Sequence, residues 1–252
     1  MDKIYDDLDP NKWKPGRGNK YVFFNEAEIR REIATKDPGI YELRILMSDF
    51  YSTKLSAYFY SDNPDPVIKQ MLEWRYPENC TINFFLTINP VKEYCEAREQ
   101  FYSLRKCRIM TQDEDIDRLT WFAIDVDPEH PAGTSATLEE KETALCQARE
   151  VFDYMTGLRF TDPVIVDSGN GYHLKYKIDL PKTEETQEML CSLNASLCEQ
   201  FSMVDKAVKN SSRILKLPGT IAMKGRHTES RPYRPARILS SLEQIEEENN
   251  AE

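Results

Sequence analysis

Histidine is scarce in this sequence: three residues, too few and too scattered for a histidine metal cage. The six cysteines (Cys80, Cys95, Cys107, Cys146, Cys191, Cys198) include no C-x-x-C pair. That excludes zinc-ligand spacing and reads as reduced, mostly buried thiols. No apolar run approaches the ~18 residues of a membrane span, and no signal peptide opens the chain, so no membrane partner is expected and the expected compartment is the cytoplasm. There is no internal repeat, and no low-complexity segment before the acidic C-terminal residues. Net positive charge is also missing: a formal charge of −10 argues against a general polyanion binder. What is present is a 252-residue chain, 40% hydrophobic and 30% charged, which is a globular composition with enough length for one large domain or two small ones.

The charge is unevenly spread. Between Asp205 and Arg237 stand nine cations (Lys206, Lys209, Arg213, Lys216, Lys224, Arg226, Arg231, Arg234, Arg237) against two acids, Asp205 and Glu229. Lys12, Lys14, Arg17 and Lys20 form a smaller acid-free cluster, and from Leu242 onward the chain carries glutamates and no base. A confined basic strip on an acidic protein suits an anionic partner bound in one place; the plainer reading is a set of solvated loops.

The stretch Trp121–Asp127 reads as a strand. With side chains alternating faces, Phe122, Ile124 and Val126 share one side, and Trp121, Ala123, Asp125 and Asp127 the other. Aspartates are depleted in strands and rarely buried unless paired or bound to a cation. A divalent metal holding Asp125 and Asp127 is the simplest account, against a strand end emerging into solvent before Pro128. Downstream, Asp167-Ser168-Gly169-Asn170-Gly171 lies between two β-like runs, and its Asn-Gly is a hairpin signal. In the outgoing strand His173, Lys175 and Lys177 share one face, opposite Tyr172, Leu174 and Tyr176. Cations beside a glycine-rich turn can cradle phosphates through backbone amides; a solvent-facing hairpin is the alternative. In the third stretch, Val204-Asp205 follows an apolar helix and precedes Arg213, Lys216 and the turn Pro218-Gly219. That would suit a metal-bound triphosphate, or else an exposed turn acid and a surface ion pair.

Other elements follow from caps and periodicity. Asn25 caps a helix to about Thr35, strands cover Tyr41–Met47, Leu55–Tyr60 and Thr81–Thr87, and Asp65-Pro66 opens a short helix. A helix is expected over roughly Val91–Ser103, and a loop over Gln112–Asp117. Thr137 and Glu140 make a capping box for a helix ending at Gly157. Further strands are expected at Val164–Val166, Tyr172–Ile178 and Arg213–Leu217, with a helix over about Glu184–Phe201. From residue 119 the order strand, helix, hairpin, helix, strand matches a split βαβ unit. The expected class is therefore α/β (α+β).

Taken together and in this order, the three stretches resemble the archaeo-eukaryotic primase superfamily, in particular the primase–polymerases of plasmids, phages and other mobile elements. That superfamily is marked by D-x-D/E on a strand, S-x-H, and a hydrophobic residue followed by Asp. The corresponding residues here are Asp125-Val-Asp127, Ser168-Gly-Asn-Gly-Tyr-His173 and Val204-Asp205. The flanks Thr87-Ile-Asn-Pro90, Pro131-Ala-Gly-Thr-Ser-Ala-Thr137 and Arg213-Ile-Leu-Lys-Leu-Pro-Gly-Thr220 match as well, so the resemblance covers roughly residues 40 to 225. His130 departs from it, standing where related sequences often carry Arg.

The resemblance implies an N-terminal α/β unit (1–114), an RNA-recognition-motif-like catalytic unit (115–240) with the active site in the cleft between them, and an acidic tail or linker (241–252). It implies template-directed nucleotidyl transfer, as a DNA primase or DNA polymerase. Asp125, Asp127 and Asp205 would hold two Mg²⁺ or Mn²⁺ ions. Ser168, Gly169, Asn170, Gly171, His173, Arg213 and Lys216 would bind the nucleoside triphosphate. Lys175, Lys177, Lys224 and Arg226 would touch single-stranded DNA template and primer, and a helicase fused to the chain or encoded near it is an implied partner. Two other classes stay open: a non-catalytic single-stranded nucleic-acid-binding replication-initiator module, and a metal-dependent nuclease.

Overall fold

The computed structural model describes residues 8–206 and 210–244. Lys209 of the basic strip and residues 245–252 of the acidic tail lie outside the described residues. The class is mixed α+β, with four α-helices and antiparallel sheets among the described residues. In chain order these are β1 (Lys14–Pro15), β2 (Phe23–Phe24), α1 (Glu26–Ala34), β3 (Ile40–Met47), β4 (Lys54–Tyr60), α2 (Asp65–Glu73), β5 (Ile82–Thr87), β6 (Arg105–Lys106), β7 (Arg118–Val126), α3 (Leu138–Gly157), β8 (Val164–Asp167), β9 (Tyr172–Pro181), α4 (Glu184–Gln200), β10 (Ile214–Lys216), β11 (Ile221–Ala222), β12 (Arg234–Pro235) and β13 (Arg237–Leu239).

Local chemistry sets the helix starts. The Asn25 side chain accepts from the Glu28 amide, Pro66 sits in the first turn of α2, and Thr137 and Glu140 satisfy each other's amides at the head of α3. α4 has the same reciprocal cap, made by Thr183 and Thr186.

Two sheets carry the fold. The first has the order β10-β5-β3-β4-β6 and the second β13-β8-β9-β7. In the second sheet Phe122, Ile124, Val126, Tyr172, Leu174 and Tyr176 pack on apolar residues of α3 and α4. The opposite face turns toward the first sheet: Trp121 and Ala123 pack with Ile88 and Leu215. The period-2 reading of β7 therefore holds, with one face in a helix-covered core and the other between the sheets.

After α4, Val204 bridges Val126, the Asp127 amide donates to Met203 O (3.0 Å) and the Asp205 amide to Asp125 O (2.8 Å). Residues 203–205 thus take the place beside β7 that the last strand of a split βαβ unit occupies, and β13 adds a further strand beyond β8.

Two expected elements differ. Arg213–Leu217 does not close the second sheet; β10 pairs antiparallel with β5 in the first, Ile214 opposite Thr87 and Lys216 opposite Phe85. The helix expected over Val91–Ser103 is a single 3₁₀ turn, Glu93–Ala97. Its backbone is engaged elsewhere: the Val91 amide donates to Ile40 O (2.8 Å) and the Tyr102 amide to Tyr58 O (2.8 Å). Tyr102 is itself left-handed at φ 51°, which no helix continues through. No helix among the described residues is long and apolar enough to cross a membrane. All six cysteines are free thiols.

Candidate active site

A cleft of ≈ 310 Å³ opens between the two sheets. β5 and β10 form one wall through Asn83, Phe85 and Leu215; β7 and the β8–β9 hairpin form the other through Asp125, Asp127, Ser168, Asn170 and His173. Arg213, Lys216 and Lys224 complete it. The strand register places His173 directly opposite Asp125. Asp205 does not line the cleft itself; its carboxylate accepts from Arg213 Nη2 at 3.0 Å, and the same nitrogen lies 3.8 Å from Asp125 Oδ2. Lys224 Nζ stands 3.9 Å from Asp127 Oδ2 and 3.3 Å from His130 Nε2. The three aspartates of the sequence motifs are thus gathered around two cations of the chain.

Burial governs the protonation of this group. It pushes the Asp125 carboxyl up to about 6; Arg213 and Lys224 oppose that rise and Asp205 adds to it. Asp127 is raised for the same reason, with Asp125 as an added like charge. His173 moves the other way, to about 4, because burial and the neighbouring Lys175 charge disfavour the imidazolium. His173 is therefore neutral at pH 7, and its Nε2 approach to Asp125 Oδ1 (3.5 Å) is not an ion pair. Its Nδ1 is buried with no hydrogen-bond partner among the described residues. Among the described residues no three His, Cys, Asp or Glu side chains are grouped as a ready-made metal cage. Arg213, standing between Asp125 and Asp205, fills that role with its guanidinium.

The β8–β9 turn is held from behind. Asp167 accepts from Lys141 Nζ of α3 (2.6 Å) and from the Gly169 amide (2.8 Å). The Ser168 hydroxyl bridges Gly171 O and the Gly171 amide at 3.0 Å each, and Asn170 Oδ1 accepts the Ala136 amide (3.0 Å). The glycine amides are thus spent within the turn and are not presented as a phosphate cradle. The glycines serve close approach instead. Gly169 is left-handed at φ 94° and packs on Ala222. A Cβ on Gly171 would run into the Val126 carbonyl oxygen and stand 2.7 Å from Asp127 Oδ1. Gly171, two positions before His173, is the small residue that packs on the aspartate motif, whereas Ser168 closes the turn. Gly171→Ala is expected to displace Asp127 and to lower any activity of the cleft at least tenfold, with a fall in Tm of several degrees; steady-state assay and thermal melting check both.

The remaining cations separate. Lys175 is 2% exposed and donates to both Glu32 carboxylate oxygens at 2.6 Å, with Lys36 on the same carboxylate at 3.2 Å. It is a buried tie between α1 and β9, which corrects its expected place on a nucleic-acid surface. Lys177 is partly exposed, pairs with Asp37 and lies 4.9 Å over the Trp121 ring. Lys216 lines the cleft but is buried, donating to Ile221 O (2.7 Å) and Asn83 Oδ1 (3.2 Å); burial drives its ammonium well below the usual lysine range. Arg226 is exposed on the loop beyond Lys224.

Two positioning residues had no role in the sequence reading. Asn89 Oδ1 accepts the Thr120 and Trp121 amides (2.8 and 3.1 Å) at the register shift of β7, and its Nδ2 donates to Ser211 O (3.1 Å). Asp113 accepts the Ser212 amide (2.8 Å). Together they fix the chain just before Arg213. The flank Thr87-Ile-Asn-Pro90 was the available signal for Asn89; Asp113 had none.

No protein-family model matches the chain, and no curated protein matches it. Among solved structures the chain is similar to the primase RepB′, with a TM-score of 0.49 and 11% identity over 89% of this chain. It spans 64% of the length of that structure. It is also similar to the archaeo-eukaryotic primase domain of the primase–polymerase of cyanophage S-2L, with a TM-score of 0.47 and 10% identity, covering 89% of this chain and 97% of that one.

Proposed function

We propose that this cleft catalyses template-directed nucleotidyl transfer, as a DNA primase or DNA polymerase working on a single-stranded DNA template. The observation that carries the reading is the placement of Asp125, Asp127 and a neutral His173 on one cleft wall, with Arg213 lining the cleft between Asp125 and Asp205. A buried carboxyl whose proton is held to about pH 6, facing a cleft beside a second raised aspartate, is the kind of perturbed group that functional sites collect.

Three aspartates offer the carboxylate oxygens that Mg²⁺ or Mn²⁺ requires, but Arg213 stands between two of them, so a cation would have to displace its guanidinium. Asp125, Asp127 and Asp205 would hold it, and when bound it supplies charge neutralisation at the transferring phosphoryl group and at the attacking hydroxyl. Arg213 now balances Asp125 and Asp205. With that charge balanced from elsewhere, its planar fork would turn to a phosphate in bidentate fashion. Lys224 stands on the Asp127 side of the cleft as a second phosphate partner. Neutral His173 contributes a ring N–H to a phosphate oxygen, and Asn170 keeps its amide NH₂ for the same purpose, since only its Oδ1 is used in the turn.

The test is incorporation of labelled ribo- or deoxynucleotides on a single-stranded template, with and without primer, in Mg²⁺ and in Mn²⁺. Product that depends on template and metal is expected. Degradation without incorporation would mark a nuclease, and binding alone a non-catalytic module. Within that assay, His173→Ala and Arg213→Ala are each expected to raise the nucleotide concentration needed, or lower kcat, by about ten- to a hundredfold. Anisotropy with DNA alone should be unchanged. Because burial holds His173 neutral, with its pKa at about 4, no histidine break is expected in the nucleotide dependence between pH 5 and 8.

A further inference from the structure

The cleft does not end at Lys224. A wider groove of ≈ 920 Å³ continues from it, sharing Asn83, Met223 and Lys224 and running past Lys20, Tyr21 and Arg226 to Ser48. Tyr21 and Tyr233 line it, backed by His227 in a triangle with ring centroids 5.2–5.5 Å apart, and Lys20 Nζ lies 4.6 Å over Tyr21.

Ser48 is the root of the β3–β4 hairpin, and its hydroxyl accepts the Thr81 amide at 2.9 Å in the groove wall. The hairpin tip is firmly built: Asp49 accepts the Thr53 amide with its side chain (2.7 Å) and the Ser52 amide with its carbonyl (2.9 Å). That turn drives two aromatic side chains outward. Phe50 is 95% and Tyr51 81% exposed, with their rings edge-on at 5.2 Å. Two exposed cations lie near the tip: Lys54 at the start of β4, and Lys106, on β6 beside Leu55, whose charge reaches Asp49. In the groove lining Lys20, Lys224 and Arg226 stand against one acid, Glu78, and Asp49 sits at the hairpin tip.

We propose that this groove carries one unpaired nucleic-acid strand away from the cleft, and that Phe50 and Tyr51 stack its bases at the far end. The inference rests on, and deepens, the nucleotidyl-transfer reading of the cleft. Exposed rings flanked by cations are the arrangement that holds a single strand without sequence preference: rings take base faces and cations take phosphates. An apolar peptide would have no use for the cations, and a duplex offers no base face to the rings.

Single-stranded oligonucleotides of graded length, read by anisotropy on the full chain, test it. Phe50→Ala/Tyr51→Ala is expected to weaken long oligonucleotides about tenfold and to leave those too short to span the groove unchanged. The aromatic exchange Phe50→Tyr/Tyr51→Phe should restore binding, and Phe50→Leu/Tyr51→Leu, which keeps the apolar surface, should not. Lys20→Gln/Arg226→Gln should flatten the slope of log K against log salt by about 1.4. Unchanged long-strand affinity, or an equal loss at every length, would overturn the track. So would altered self-association in sedimentation without a change in DNA binding, since the rings would then contact protein. The two readings fail separately. If wild-type protein incorporates nucleotides but the alanine pair binds long strands normally, the track falls and the cleft assignment stands. If no incorporation occurs but the length-dependent loss is seen, the track stands and the cleft assignment falls.

Discussion

Asp125→Asn is expected to abolish nucleotide incorporation while making the metal-free protein harder to unfold at neutral pH. The first effect follows from removing an anionic oxygen from the centre of the aspartate group, and a loss of several orders of magnitude in rate is expected for a cation ligand. The second follows from proton linkage. In the folded chain the Asp125 carboxyl titrates at about 6, mainly because it is buried; in the unfolded chain it titrates near the ordinary aspartate value of about 3.9. Between those values the folded state holds the proton and the unfolded state does not. Stability from this group therefore falls as pH rises from about 4 to 6, and the whole penalty is present at pH 7. Asparagine does not titrate, so the variant should gain on the order of 1–3 kcal/mol at pH 7 and little at pH 4. Denaturant melts at both pH values, beside an extension assay, check it. Retained activity would remove Asp125 from the site, and equal gains at both pH values would mean that burial of the charge is not what strains the fold.

Glu32→Ala should have the opposite character: a stability loss of about 3–5 kcal/mol, the usual result of leaving buried charge without its partner. Glu32 sits on α1 and receives Lys175 from β9 at 2.6 Å and Lys36 at 3.2 Å, all three side chains being nearly inaccessible to solvent. Burial works against the Glu32 carboxylate, but the two lysines outweigh it and hold its pKa below the usual range. Lys36 is pushed down to about 8, chiefly by burial, with Glu32 resisting. Remove the carboxylate and two buried ammonium groups face each other. The Lys36 pKa should fall further below about 8, so the defect should be greatest at acid pH and should shrink as pH rises to about 8, where Lys36 is also losing its proton in the intact protein. Chemical denaturation across that range is the measurement, and a loss independent of pH would reduce Glu32 to a packing residue.

What could be read from the sequence was whatever local chemistry encodes. Alternation along β7 placed Asp125 apart from the helix-covered core, caps at Asn25 and Thr137 located helix starts, and Asn170-Gly171 located the hairpin. What could not be read was pairing over long separations. Lys175 and Lys177 are equivalent by alternation, yet one is buried because Glu32 arrives from 143 residues earlier, and the other stays partly exposed beside Asp37. The short strand bearing Lys216 has the pattern of a closing strand for either sheet; only the free edge of β5 decides it. The segment after Pro90 carries apolar residues at near-helical spacing, but those positions are pinned one at a time to β3 and β4, and a single turn is all that remains.

The placement of β10 also has a consequence for how the chain is made. β5 is complete at Thr87, while its neighbour spans Ile214–Lys216. At ordinary rates of synthesis the intervening chain takes on the order of ten seconds to emerge. Through that interval the first sheet exists with one ladder unfilled, its amides and carbonyls open to any passing strand. The residue that follows Asp205 into the cleft, Arg213, arrives on the same short segment that seals this edge. Completion of the sheet and assembly of the charge cluster are thus one late event on the ribosome, and a nascent chain stopped before it has neither.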